Sequence, residues 1–123
     1  MTVYTTAPFV KKSLPKAWEE SPFVYDGKLY KAGFQRQWTA TAGLGIIISQ
    51  YDDDKKVFWE VARIPWDRML GCILVDGKRI YAFGTTDTAT PGNSLKMREI
   101  DPETWTFIGE ERNVVTAPAG VKI

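Results

Sequence analysis

The feature that most constrains the fold is a strand–turn–strand pattern that occurs twice in the chain. Residues 21–32 and 71–82 each place an Asp-Gly-Lys triplet between two runs rich in apolar and aromatic residues. Asp-Gly is a strong signal for a two-residue hairpin loop, because both central residues of a type I′ turn require positive φ. The triplets begin at Asp26 and Asp76, 50 residues apart. A period of this length predicts an architecture built from repeats.

A second landmark repeats in the same order along the chain. Residues 51–58 and 100–107 each hold an acidic turn followed by an aromatic strand, at a spacing of 49 residues. Each repeat therefore contains four short strands joined by hairpins or loops, which is typical of an antiparallel meander. Apolar residues never keep a helical spacing over ten residues, so the sequence predicts an all-β chain.

We expect one domain over residues 1–123, with blade-like repeats at 20–64 and 68–110 and terminal strand segments at 1–19 and 111–123. A four-stranded meander of about 40 to 50 residues is the unit of a β-propeller. Two blades cannot close a ring, and alone they would expose two apolar sheet faces. The sequence thus predicts a homo-oligomer, with a six-bladed trimer favoured over a four-bladed dimer. The alternative is a single β-sandwich or barrel.

Composition argues against several classes of function. The formal net charge is +1, which lacks the basic excess of a nucleic-acid or anionic-membrane binder. No stretch reaches the 18 apolar residues of a membrane helix. The first residues lack the basic and apolar regions of a signal peptide, so we expect a cytoplasmic protein.

Histidine is missing from the sequence, and Cys72 is its one cysteine. This excludes histidine-based nucleophile systems and leaves too few ligands for a transition-metal site, so we expect no metal and no cofactor. Cys72 lies among apolar residues and is predicted to be a small core residue. The acidic turn at residues 52–56 lacks the ligand pattern of an EF-hand and is predicted to be a solvated turn.

Residues 18–30 read Trp-Glu-Glu-Ser-Pro-Phe-Val-Tyr-Asp-Gly-Lys-Leu-Tyr. This Glu-x-Pro opening, with a strand, a Gly turn and a Tyr-containing strand behind it, resembles the acid/base blade of the five-bladed propeller glycosidases of the arabinanase, xylosidase and invertase-like families. The resemblance implies that Glu20 matches the general acid. The Asn-Asp-Pro-Asn-type nucleophile segment of those families is missing here. Hydrolysis of a glycoside needs two carboxyl groups about 5 to 10 Å apart, and the candidates near inner strand ends are Glu19, Glu20 and Asp67.

Two classes of function follow from these observations. The favoured one is a non-catalytic oligomeric propeller that acts as a binding or structural module, with a carbohydrate as the candidate ligand. The alternative is a glycosidase-like hydrolase, or a degenerate relative, that uses Glu20 as general acid. Carboxylates and tryptophans at strand and loop ends are the candidate ligand contacts, because indole rings stack on apolar ligand faces. The candidate set is Trp18, Glu19, Glu20, Trp38, Trp66 and Asp67.

Overall fold

The computed structural model describes residues 18–35, 45–86 and 94–118, and these contain eight β-strands in two four-stranded antiparallel sheets. Each sheet is a meander in which strands adjacent in sequence are adjacent in space. Sheet I consists of β1 (Trp18–Tyr25), β2 (Lys28–Gln35), β3 (Gly45–Asp52) and β4 (Val57–Pro65). Sheet II consists of β5 (Arg68–Asp76), β6 (Arg79–Thr86), β7 (Ser94–Asp101) and β8 (Thr106–Thr116). The prediction of an all-β chain with two four-stranded antiparallel sheets is confirmed.

The sheets extend beyond the predicted repeats, because β1 begins at Trp18 and β8 continues to Thr116. Residues 111–116, predicted as part of a separate terminal strand segment, continue β8 instead. No ladder joins the two sheets within the described ranges, so these strands do not close into one barrel. The described residues also include no helix long and apolar enough to cross a membrane. Of the terminal strand segment predicted at residues 1–19, residues 1–17 lie outside the described part of the chain.

The first hairpin of sheet I closes as predicted. Tyr25 pairs with Lys28, so Asp26 and Gly27 form the two-residue loop. Their φ angles are 50° and 72°, the left-handed values that a type I′ turn requires at both central positions.

The first hairpin of sheet II corrects the prediction by one residue. Asp76 pairs with Arg79, so the loop is Gly77-Lys78 and not Asp76-Gly77. Gly77 has a φ of 61° and occupies the first central position, which is the pattern of a type II′ turn. Two identical triplets therefore close loops that differ in register by one residue.

The tips between the third and fourth strands of each sheet are built alike. Asp52 pairs with Val57 and Asp101 pairs with Thr106, which leaves a four-residue loop in both sheets. Asp52 accepts a hydrogen bond from the N–H two residues later at 3.0 Å, and Asp101 does so at 2.9 Å, each forming an Asx turn. The last loop residue is left-handed in both, with φ of 57° at Lys56 and 54° at the equivalent loop position of sheet II.

The two sheets pack face to face, and the core lies between them. The contact buries aromatic and aliphatic side chains that alternate along the strands, as expected for sheets buried on one face. The core cluster includes Phe23, Tyr30, Phe34, Ile46, Ile48 and Ile64 from sheet I and Leu70, Ile73, Ile80 and Ile100 from sheet II. We call the two contacting surfaces the inner faces, and the two opposite surfaces outer face I and outer face II.

The first strands of the two sheets run side by side in the same direction. The N–H of Ile73 donates to Ser21 Oγ at 3.3 Å, and the Tyr25 hydroxyl donates to the carbonyl oxygen of Lys78 at 3.5 Å. Residue numbers therefore increase in the same direction along both strands at this contact. The backbones of the sheets also approach each other most closely at these two strands.

Structurally corresponding faces of the two sheets do not meet each other. Counted from the hairpin turns at both ends, the cross-strand row Phe23, Tyr30, Gln50 and Trp59 corresponds to the row Leu74, Tyr81, Glu99 and Ile108. The first row lies on the inner face of sheet I, whereas the second lies on outer face II, because adjacent residues of a strand alternate between faces. The face of sheet I that contacts sheet II therefore corresponds to the face of sheet II that points away from sheet I.

Candidate functional site

Glu20 is bound by a cation within its own sheet. Both of its carboxylate oxygens accept a hydrogen bond from Lys31 Nζ at 3.0 Å. Lys31 Nζ also lies 4.8 Å from the centroid of the Phe58 ring, so one ammonium group contacts a carboxylate and an aromatic face. The ion pair places Glu20 on outer face I, on the same side as the Phe58 ring.

Glu20 and Asp67 do not come together within one chain. Asp67 is exposed, and its carboxylate lies 3.7 Å from Arg68. Ile73 lies opposite Ser21 across the two sheets, so Asp67 is six residues before the contact point and Glu20 is one residue before it. At about 3.3 Å per residue the two residues are about 17 Å apart along the strands, which is too far for a glycosidase pair.

Trp66 belongs to the core. It is 4% exposed, packs edge-on against Phe107 at 5.4 Å between ring centroids, and donates from Nε1 to Glu111 at 3.0 Å. Little of its ring surface is therefore open to a ligand. The remaining candidates are not described by the structure: for Trp18 and Glu19 this concerns the side chains, and for Trp38 the whole residue.

Glu111 is a charged centre that the sequence analysis missed. It accepts hydrogen bonds from Arg68 at 2.9 Å and from Trp66, so it joins β8 to the connection between the sheets. Burial would raise the pKa of Glu111, but these two hydrogen bonds and the positive charges of Arg68 and Lys96 together hold the pKa below its ordinary value. The role of this cluster is to fix the connection on sheet II.

The acidic tip of sheet I is a closed turn. Asp52 accepts from the N–H groups of Asp54 and Lys55 at 3.0 and 3.1 Å and from the Trp59 indole at 3.2 Å. The backbone hydrogen bond from Lys55 contributes most to lowering the pKa of Asp52. Within the ranges that the structure describes, no three acidic or cysteine side chains cluster in a way that could hold a metal ion.

Cys72 is exposed, so its prediction as a core residue is wrong. A bulge between Leu70 and Cys72 inserts one extra residue into β5. The extra residue reverses the alternation, because a shift of one position moves a side chain to the other face of the sheet. Leu70 consequently faces the core, and Cys72 lies on outer face II beside Phe83.

Outer face II is an apolar surface with charged residues around it. Leu74 is 50% exposed and Ile108 is 44% exposed, at the two ends of one cross-strand row. The neighbouring row brings Phe83 and Met97 side by side. A depression of about 360 Å³ over β7 and β8 is lined mainly by charged residues: Arg79, Arg98, Glu99, Glu110, Glu111 and Arg112, with Tyr81, Met97, Ile108 and Gly109.

Outer face I carries exposed apolar side chains beside its hairpin turn, whereas its middle row is Pro22, Lys31, Ser49 and Glu60, with Ser49 buried. Val24 is 60% exposed and is paired with Leu29, which is 39% exposed. Tyr51 and Phe58 pack against each other with ring centroids 5.1 Å apart. Exposed apolar side chains therefore lie on both outer faces, Val24 and Leu29 on one side and Leu74 and Ile108 on the other.

Comparison with known protein families and with curated proteins gives no match for this sequence.

Proposed function

We propose that the protein is a non-catalytic oligomeric β-propeller, a structural or binding module in which copies of the chain close a ring of blades. The observation that carries this proposal is the packing of non-corresponding faces of the two sheets, with β1 and β5 side by side in the same direction. The rotation that superimposes sheet I on sheet II can be applied again to place a further sheet. Repeating this rotation about one axis generates a propeller. If the sheets instead paired through corresponding faces about a twofold axis, the arrangement would be complete with two sheets and could not continue into a ring.

The outer faces supply the driving force for assembly. Exposed apolar surface costs roughly 25 cal/mol per Å² relative to burial, and both outer faces carry it. Contact between two different faces of identical chains is heterologous, and it closes into a ring when the rotation allows. Three copies supply six blades and two copies supply four, within the range of roughly four to eight blades in propellers. The trimer is the favoured form of this proposal.

Molar mass in solution tests the proposal directly. We expect light scattering at micromolar concentration to give about 42 kDa, three times the 13.9 kDa chain. A mass of two chains would favour the four-bladed ring. A monodisperse species of one chain would contradict the propeller proposal, because two blades leave both outer faces in water.

For the binding part of the proposal, the candidate ligand is a carbohydrate at the starts of the inner strands, near Glu20. A ring would repeat Glu20 and its partner Lys31 once per copy near β1, the strand closest to the neighbouring sheet. A glycan array with the purified protein and a panel of chromogenic glycosides would separate binding from hydrolysis. Hydrolysis lost in Glu20→Gln would favour the glycosidase-like alternative.

A further inference from the structure

We infer that copies of this chain join by one specific contact, in which outer face II of one copy packs on outer face I of the next. The inference rests on the proposed function and adds the surfaces, their direction and the residues that meet. We use the contact between the inner faces of one chain as the template for the contact between copies. It is suitable because outer face II corresponds to the inner face of sheet I. Outer face I corresponds in the same way to the inner face of sheet II.

The apolar positions of the template recur on the outer faces. Core residues on the inner face of sheet I have apolar counterparts on outer face II: Phe23 corresponds to Leu74, Tyr30 to Tyr81, Ala32 to Phe83 and Ile48 to Met97. The same holds between the inner face of sheet II and outer face I: Val75 corresponds to Val24, Ile80 to Leu29, Ile100 to Tyr51 and Phe107 to Phe58. Each outer face therefore presents apolar side chains at these positions, whereas the buried Phe34 corresponds to Thr85 and the buried Ala82 to Lys31.

A contact at the edge of the template indicates charge complementarity between copies. Trp105, the left-handed residue of its tip, packs on Tyr30 at 5.3 Å between ring centroids. Tyr30 lies beside Gln50 in its cross-strand row. The template therefore joins an aromatic tip residue to a tyrosine with a neutral neighbour.

The corresponding contact between copies joins Lys56 to Tyr81 and Glu99. Lys56 occupies the tip position of Trp105, and Tyr81 lies directly opposite Glu99. Lys56 thus takes the place of Trp105, and Glu99 takes the place of Gln50. In the contact between copies, Lys56 can therefore form a cation–π contact with Tyr81 and an ion pair with Glu99. In the single chain Lys56 pairs with Asp53 at the exposed surface, an interaction weak enough to be exchanged. Arg79 donates to the Tyr81 hydroxyl at 3.4 Å at the edge of the same ring.

The hydrogen bond from a backbone N–H in the template has no counterpart between copies, because both its donor and its acceptor are replaced. Ser21 Oγ accepts from the N–H of Ile73 at 3.3 Å across the inner interface. Counting from the hairpin loops, Ser21 corresponds to Cys72 and Ile73 corresponds to Pro22. A thiol is a weak acceptor and proline has no N–H, so the contact between copies loses donor and acceptor together. No polar group is left unsatisfied by burying this pair.

Paired face variants test the direction of the contact. Leu74→Glu disables outer face II, and Val24→Glu disables outer face I, at positions that are 50% and 60% exposed in the single chain. Each variant alone is expected to be monomeric. An equimolar mixture is expected to form dimers of one chain of each kind and nothing larger, because only one intact pair of faces remains. Leu74→Met and Val24→Ile are the matched apolar controls and should assemble like the wild type.

The outcomes separate this inference from the proposed function. A monomeric wild type defeats both. A wild-type oligomer that persists in both glutamate variants, or a glutamate variant that dimerises with itself, defeats the inference alone. Circular dichroism checks that each variant is folded, and Ile108→Glu with Leu29→Glu provides a second pair of variants if either of the first two is not.

A charge exchange tests the predicted residue contact. Lys56→Glu and Glu99→Lys should each weaken assembly about tenfold, since each places like charges together. The double variant restores opposite charges and should regain most of the wild-type association, as measured by the concentration dependence of the molar mass. A double variant that assembles more weakly than either single variant would overturn the contact.

Discussion

At the scale of single residues, the surroundings of Gly84 leave no room for a side chain. A Cβ at Gly84 would lie 2.6 Å from the carbonyl oxygen of Met69 and 2.8 Å from Cζ3 of Trp66. Backbone and a buried indole cannot both move aside, so we expect Gly84→Ala to lower the free energy of unfolding by about 2 kcal/mol. Urea denaturation at one fixed protein concentration measures the effect.

Gly71→Ala is the matched control for this prediction. A Cβ at Gly71 would meet its nearest atom, the carbonyl oxygen of Phe83, at 3.5 Å, an ordinary contact. Its urea midpoint should stay close to that of the wild type. If the two alanine variants unfold at the same midpoint, Trp66 is not seated on Gly84 as the structure has it.

Single residues also show where the sequence was not sufficient. Cys72 sits in an apolar strand, and a regular alternation from Leu70 would have placed it in the core. The bulge at Gly71 moved it to the other face. A bulge depends on the pairing of two strands, so the local sequence of one strand does not reveal it.

At the scale of elements, the two Asp-Gly-Lys hairpins show the limit of a local signal. Both triplets predict a two-residue loop, and both form one. Glycine suits the second central position of a type I′ turn and the first of a type II′ turn, so the triplet allows either register. Packing decides between them. The displaced loop in sheet II turns Ile73 and Ile80 toward the core, where Phe23 and Tyr30 already lie.

The cluster around Glu111 joins elements and gives a prediction on pH. The pKa of Glu111 is lowered in the folded protein, so its contribution to stability is present above the ordinary value of 4.5 and is lost as the pH falls through the lowered folded value. The urea midpoint of Glu111→Gln should therefore fall below that of the wild type at neutral pH. The difference should shrink as the solution is acidified below about pH 4.5.

Glu103→Gln serves as the control for the same substitution at an exposed turn position. Its midpoint should follow that of the wild type across the whole pH range. A difference between Glu111→Gln and wild type that stays constant on acidification would mean that the carboxylate charge does not hold β8 to the connection.

At the scale of the whole molecule, the period of the sequence predicted two meanders, and its turn signals predicted their hairpins to within one residue. The relation between the sheets was not predictable, because it depends on the register of β1 against β5. That register is set by contacts between residues some 50 positions apart, such as Ser21 with Ile73 and Tyr25 with Lys78. It also decides that Glu20 and Asp67 lie apart, although both are near the starts of inner strands. Hairpin signals act over a few residues and carry no information about this register.

Cys72 offers a test of the assembly as a whole. It is exposed in the single chain, and in the inferred contact it lies against Pro22 of the neighbouring copy. Its reaction with a maleimide should therefore slow about tenfold when the protein concentration rises from the monomeric to the assembled range, since a thiol buried in a contact reacts mainly through dissociated chains. In Leu74→Glu, which should not assemble, the rate should be fast and independent of concentration. A wild-type rate that stays fast while light scattering shows the full oligomer would mean that the chains associate through a surface other than outer face II.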